Sequence, residues 1–138
     1  MQHVNAEGGC RCGAIRYRAH GPVLSAAACH CRDCQYMSGG APAYVIVMRK
    51  PTVQIIRGMP AHFDSLADSG NRRRRYFCGT CGTPLFAEDS GFAEIVTVKV
   101  GSLDDPSLFE PSAEFWLSSA PPWHPINREL AGFERGPT

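Results

Sequence analysis

The sequence predicts a mostly β protein folded as one domain, residues 1–138. Short runs of β-branched and aromatic residues with period-two alternation recur along the chain, and turns containing glycine or proline separate them. The length suits a single modest core, and no internal repeat or linker divides the chain. Seven cysteines, arranged as two short pairs and one triplet, indicate metal ions as a further source of stability.

The first half of the chain contains four predicted strands. The ordered part is expected to begin at Gly8, and residues 14–19 alternate as a half-buried strand does. Residues 23–29 are small and predict a second strand, although their alanines also suit a helix. Residues 43–48 and 52–57 are rich in β-branched side chains and predict two more strands.

The second half continues this pattern. The predicted elements are a short strand leading into an exposed loop at 61–71, strands at 72–77, 83–86, 94–100 and 113–117, and a short helical turn at 104–109. Four consecutive arginines make 72–77 an expected sheet edge, because positive charge there deters pairing with other chains. Alternatively, some of these arginines offset a thiolate site or meet an anionic ligand. The tail from Arg128 is predicted to be helical or frayed.

Charge and composition narrow the classes of function. The net charge is +1, which provides no general attraction to nucleic acid or to anionic membranes. No apolar run approaches the ~20 residues that span a bilayer, and the N-terminal residues lack the features of a secretory signal. The cysteine count is odd, so disulfides alone would leave one thiol unpaired. We therefore expect a cytoplasmic, reduced protein that binds metal, with disulfide pairing as the alternative.

Two cysteine pairs predict a closed metal site. The pairs are Cys10/Cys12 and Cys78/Cys81. Residues two apart on an extended segment point to the same face, so Cys10 and Cys12 can offer both sulfurs to one ion. The second pair forms a C-x-x-C turn followed by Gly82, which tolerates positive φ. Four thiolates bind Zn²⁺ tetrahedrally and leave no position for substrate. Cu(I) and iron–sulfur are alternatives for such soft ligands.

The remaining cysteines, Cys29, Cys31 and Cys34, lie within six residues. A Zn²⁺ ion with three protein ligands keeps one position open, as catalytic sites do. Three thiolates make the site negative and hence a poor activator of water, but they suit an incoming thiol, which loses its proton on binding. This ligand set therefore favours sulfur chemistry. The alternative is that His30 or another group closes the site, although its ring is expected to point to the opposite face.

Five motifs occur in a fixed order along the chain. They are residues 8–17 (GGCRCGAIRY), 29–35 (CHCRDCQ), Ser38-Gly39, 77–86 (FCGTCGTPLF) and 101–106 (GSLDDP). In order and spacing they resemble the glutathione-dependent formaldehyde-activating enzyme family, over about residues 8–123 and at all seven cysteines.

The resemblance implies several small coiled antiparallel sheets around zinc, an arrangement known as a β-tent. It implies two zinc ions per chain: a structural one on Cys10, Cys12, Cys78 and Cys81, and a labile, catalytic one on Cys29, Cys31 and Cys34. It also implies a carbon–sulfur lyase that joins glutathione and formaldehyde as S-(hydroxymethyl)glutathione. Family membership does not by itself fix the substrate.

A glutathione pocket should offer cationic groups or backbone donors, since glutathione carries two carboxylates and one ammonium. The residues expected to contact substrate are Arg32, Arg49, Lys50, Trp116 and Trp123. The arginines at 72–75 are further candidates. The tryptophans resemble the family's C-terminal aromatic segment and are expected to wall the pocket, with core or lid packing as the alternative. His124 is expected to be a surface loop histidine.

Two other functions fit the same residues. One is a zinc-stabilised binding module without chemistry, and the other is a thiol redox or metal-storage protein. The sequence leaves the thiol, the electrophile and the oligomeric state open.

Overall fold

A computed structural model describes residues 2–136 of the chain. The strands in this part are β1 (His3–Gly9), β2 (Arg16–Pro22), β3 (Ser25–Cys29), β4 (Ala43–Arg49), β5 (Val53–Arg57), β6 (Ala61–Leu66), β7 (Arg72–Phe77), β8 (Pro84–Asp89), β9 (Ile95–Lys99), β10 (Ala113–Phe115) and β11 (Ala131–Gly132). One α-helix, α1 (Arg32–Met37), and 3₁₀ turns at Lys50–Thr52, Val100–Ser102, Pro106–Leu108 and Leu117–Ser119 complete it. The prediction of a mostly β protein is confirmed. No helix among these residues has the length and apolarity to cross a bilayer.

The strands form two sheets. Strands β1, β2 and β5 make a three-stranded antiparallel sheet in the order β1-β2-β5. The larger sheet has the order β11-β10-β3-β4-β9-β8-β7-β6. Its pairs are antiparallel from β3 to β6, whereas β10 runs parallel to both of its neighbours.

Three elements differ from the sequence-based expectation. Order begins before Gly8, because His3–Gly9 forms β1 with Val4 and Ala6 buried. Strand β7 is not an edge, since it pairs with β6 on one side and β8 on the other. Its arginines have cross-strand acidic partners there, which removes the charge repulsion that favours an edge position. The tail contains β11 rather than a helix.

The main core lies between the two sheets. The ring of Tyr17 from β2 is fully buried and packs edge-on against Phe86 of β8, with ring centroids 4.9 Å apart. Alternate residues of the larger sheet join it, including Ile46 of β4 and Val98 of β9. Because side chains alternate along a strand, the residues between these core positions project from the opposite face of the sheet. That second face borders the cysteine triplet.

Candidate metal centres

Four cysteine sulfurs converge where two loops meet. The sulfurs of the four-cysteine cluster, all within 4.8 Å of one another, belong to Cys10, Cys12, Cys78 and Cys81. The Sγ–Sγ distances are 3.5 Å for Cys10 and Cys12 and 3.7 Å for Cys12 and Cys78. A tetrahedral zinc with Zn–S bonds of about 2.3 Å separates its sulfurs by about 3.8 Å. The cluster therefore fits a tetrahedral thiolate metal site, and the distances are far too long for disulfides.

Backbone amides point at these sulfurs. The N–H of Ile15 donates to Cys10 Sγ at 3.2 Å, and the N–H groups of Thr80 and Cys81 donate to Cys78 Sγ at 3.4 Å. Hydrogen bonds from amides stabilise the thiolate form that a metal requires.

The four-cysteine cluster joins the two sheets. Cys10 and Cys12 follow β1 of the smaller sheet, and Cys78 and Cys81 follow β7 of the larger sheet. The second loop turns back through Gly82, whose φ is 79° and whose N–H donates to the carbonyl oxygen of Cys78 at 2.8 Å. A metal held here cross-links segments that are distant in sequence.

The three-cysteine cluster is local. The sulfurs of Cys29, Cys31 and Cys34 also lie within 4.8 Å of one another. Cys29 ends β3, Cys31 caps the N-terminus of α1, and Cys34 lies in the first helical turn, where its N–H donates to Cys31 Sγ at 3.3 Å. Cys34 is buried but Cys29 and Cys31 are only half-buried, so the cluster keeps an accessible side.

The three sulfurs hold their protons unequally. Hydrogen bonds from the Cys29 and Cys34 thiols lower the pKa of Cys31. The same contact with Cys31 raises the pKa of Cys29. Thiolate therefore forms first at Cys31, where the Cys34 amide also supports it. This donor chemistry fits a soft metal ion.

His30 is not part of the cluster. Its side chain is fully buried, and Nε2 lies 2.9 Å from Glu114 Oε1 on β10. The second carboxylate oxygen of Glu114 accepts the N–H of Asn127 at 2.9 Å. Within residues 2–136, Nδ1 of His30 has no hydrogen-bond partner. His124, expected on a surface loop, is half-buried, and its ring lies edge-on to that of His30 at 5.3 Å.

Gln35 makes a second connection between this loop and the C-terminal segment. Its amide donates to the carbonyl oxygen of His30 at 2.7 Å and to that of Ser119 at 2.9 Å. In the sequence, Gln35 appears only as the last residue of the 29–35 motif and Glu114 does not stand out, because each has a partner 84 residues away and no local pattern marks such a pair.

The residues expected to contact substrate are dispersed. Arg32 is exposed beside Cys31, donates to Gln35 Oε1 and lies over the Tyr36 ring at 4.8 Å. Arg49 is exposed at the end of β4. Lys50 Nζ lies 2.8 Å from Oε2 of Glu88. The other carboxylate oxygen of Glu88, Oε1, accepts a hydrogen bond from the Tyr76 hydroxyl. Tyr76 packs on the main core, so this lysine is engaged on the core side of the sheet.

The tryptophans lie in the C-terminal segment. Trp116 has a left-handed backbone, with φ of 57°, and the Arg135 guanidinium lies 5.6 Å from the centre of its ring. Trp123 is 69% exposed and meets His124 edge-on at 5.9 Å. Ring contacts from Trp123 to His124 and from His124 to His30 thus connect Trp123 with the cysteine loop.

The fold and the two clusters place this chain among mostly β proteins whose cysteines, here grouped as four and three, can bind metal ions. The chain belongs to the glutathione-dependent formaldehyde-activating enzyme family, whose model matches residues 5–119. It is 26% identical over 125 residues to a Halomonas elongata protein provisionally named glutathione-dependent formaldehyde-activating enzyme, an alignment that covers 85% of this chain and 78% of the relative.

A solved structure supports the fold. The crystal structure of a Rhodobacter sphaeroides protein matches with a TM-score of 0.58 at 18% identity, covering 92% of this chain and 98% of that one. At this identity the likeness concerns the fold alone.

Proposed function

We propose that the protein is a zinc-dependent carbon–sulfur lyase or synthase that acts on the adduct of a glutathione-type thiol with formaldehyde or another small electrophile. The main observation in support of this proposal is the unequal division of the cysteine sulfurs, four in one cluster and three in the other. Membership of the family supports glutathione and formaldehyde as the reactants.

In this proposal Cys29, Cys31 and Cys34 hold one ion and the four-cysteine cluster holds the other. Zinc bound by three cysteines supplies a fourth coordination position and lowers the pKa of a thiol that occupies it. The half-buried side of Cys29 and Cys31 is the approach for that thiol. No further general base is required, because the thiol sulfur is already deprotonated when it meets the electrophile.

The bond changes balance without a further reactant. The substrate sulfur forms a bond to the carbonyl carbon of formaldehyde, and the carbonyl π electrons move to oxygen. That oxygen takes up the proton that the thiol released, which gives the hydroxymethyl thioether. The reverse reaction breaks the carbon–sulfur bond and returns thiol and aldehyde.

Arg32, Arg49, Trp116 and Trp123 remain proposed substrate contacts. Arg32 adjoins Cys31 in sequence, and Trp123 contacts His124, whose ring packs edge-on against His30 of the cysteine loop; these contacts support the two residues as part of the proposed approach. Lys50 likewise remains a proposed contact, at a site where its ammonium also pairs with Glu88 Oε2 at 2.8 Å. Seven free cysteines suit a reducing compartment, and we propose the cytoplasm.

The test is the rate at which glutathione and formaldehyde exchange with S-(hydroxymethyl)glutathione, followed by NMR exchange spectroscopy. The zinc-loaded protein should accelerate this exchange, and Cys31→Ser should reduce the acceleration by about 100-fold or more. Arg18→Gln is the matched control, since Arg18 is exposed and pairs only loosely with Glu7 at 3.5 Å. No acceleration by fully zinc-loaded protein would favour a zinc-stabilised binding module.

A further inference from the structure

Three cations project from the sheet face that borders the three-cysteine cluster. Arg75 on β7 pairs with Ala87 on β8, and Ala87 in turn pairs with Thr97 on β9. Cross-strand partners share a face, and so do residues two apart on a strand. Arg73 and Arg75 therefore lie on the same face as Thr97 and Lys99.

This face is the one that carries the cysteines. Lys99 pairs with Val45 across β9 and β4, and Val45 packs in one cluster with Cys34. The Nη2 atom of Arg75 also lies 3.6 Å from Oδ2 of Asp33, which lies between two of the cysteine ligands on α1. Lys99 and Arg75 thus approach the cysteine loop from two directions.

The three cations differ in how far their charge is already compensated. Arg73 Nη2 lies 2.9 Å from Asp89 Oδ2, and Arg75 donates to Ser65 Oγ at 2.8 Å besides its contact with Asp33. Over residues 2–136, Lys99 forms no salt bridge with any carboxylate. Burial lowers the pKa of Lys99, and the opposing effect of the nearby Cys34 charge is smaller. Of the three cations, Lys99 is therefore the one whose ammonium can pair with the carboxylate of a bound ligand.

We propose that Lys99, supported by Arg75, binds a carboxylate of the thiol substrate while the substrate sulfur enters the three-cysteine cluster. This inference rests on the proposed function and narrows the substrate class to thiols that carry a nearby carboxylate, as small peptide thiols do. The placement supports this role: Lys99 lies opposite Val45 on the neighbouring strand, about 4.8 Å away, and Val45 packs in one cluster with Cys34. A charge-assisted hydrogen bond at this position selects acids over esters.

The competing role for Lys99 is plain charge compensation. Three thiolates and one dication carry a net charge of −1, which becomes −2 when a thiolate is added. A lysine that only offsets this charge would strengthen the binding of every thiol equally. Carboxylate recognition instead strengthens the binding of acidic thiols alone.

Calorimetric titration of the zinc-loaded full-length protein separates the two roles. Glutathione is compared with its diethyl ester, which keeps the thiol and the ammonium but lacks both carboxylates, and with 2-mercaptoethanol. The native protein should bind glutathione about tenfold more tightly than the ester. Lys99→Gln should lose most of this preference and Lys99→Arg should keep it.

The matched control is Arg18→Gln, which removes one positive charge from an exposed position on β2 of the smaller sheet, where Arg18 Nη2 lies 3.5 Å from Glu7 Oε1. It should retain the native preference. Equal binding of acid and ester by the native protein overturns the inference and leaves the proposed function standing, as does an equal loss of both ligands in Lys99→Gln. Failure of the native protein to bind any of the three thiols overturns the proposed function as well. The comparison of ligands on native protein holds even where a variant does not fold.

Discussion

Cys78→Ser is expected to abolish the folded state under conditions in which the native protein is fully folded. The four-cysteine cluster brings the segments after β1 of the smaller sheet and β7 of the larger sheet together, so a metal bound there would hold the two walls of the core together. Structural zinc contributes about 10–16 kcal/mol of apparent binding energy, whereas a whole domain is stable by about 5–15 kcal/mol. Loss of the ion is therefore expected to lower the free energy of unfolding to zero or below. Circular dichroism during thermal unfolding measures the effect.

Cys34→Ser is the matched control for this prediction. It removes one sulfur as well, but from a cluster whose ligands all lie in residues 29–34 and close no long loop. This variant should fold and lose one zinc per chain. A Cys78→Ser protein that melts cooperatively near the native temperature would show that the four-cysteine cluster does not hold the sheets together.

Glu114→Ala is expected to lower the free energy of unfolding by about 3 kcal/mol. Glu114 is 5% exposed, and its two carboxylate oxygens meet His30 Nε2 and the N–H of Asn127. Without Glu114, the buried imidazole of His30 loses its hydrogen bond at Nε2, and Nδ1 already has no partner within residues 2–136. Breaking a buried polar pair from one side costs about this much. Urea denaturation measures the change.

Two further variants test whether the destabilisation by Glu114→Ala is specific to the contacts of its carboxylate. Glu114→Gln keeps one oxygen to accept the N–H of Asn127 and offers an amide N–H that Nε2 of His30 accepts in its Nδ1-protonated tautomer, so it should recover most of the lost stability. Glu134→Ala removes an exposed glutamate from the same C-terminal segment and should have little effect. Equal destabilisation by Glu114→Ala and Glu134→Ala would contradict a structural role for the His30–Glu114 pair.

The grouping of the cysteines could be predicted from the sequence because metal ligation is local chemistry. The C-x-C and C-x-x-C spacings place two sulfurs together whatever the rest of the chain does, and the structure brings the two pairs to one point. Most strands were predictable for a similar reason, since alternation reflects one buried face. Strand β1 was missed because only Val4 and Ala6 mark its buried side.

The surroundings of the three-cysteine cluster could not be predicted, because they depend on strand register. Lys99 faces the cysteine loop only because β9 pairs with β4, and the register places it opposite Val45. Likewise, the arginine run divides between the two faces of β7 only once β6 and β8 flank it. The ion pair between Lys50 and Glu88 was equally invisible in the sequence, because the two residues lie on segments that only the fold brings together.

X-ray absorption at the zinc edge, with and without saturating glutathione, tests whether one zinc site is closed and the other open. We expect two zinc ions per chain, one with sulfur ligands only and one with three sulfurs and a lighter atom. Glutathione should replace that lighter atom with a fourth sulfur. A single zinc per chain, or a spectrum that saturating thiol leaves unchanged, would contradict the division into one closed and one open site.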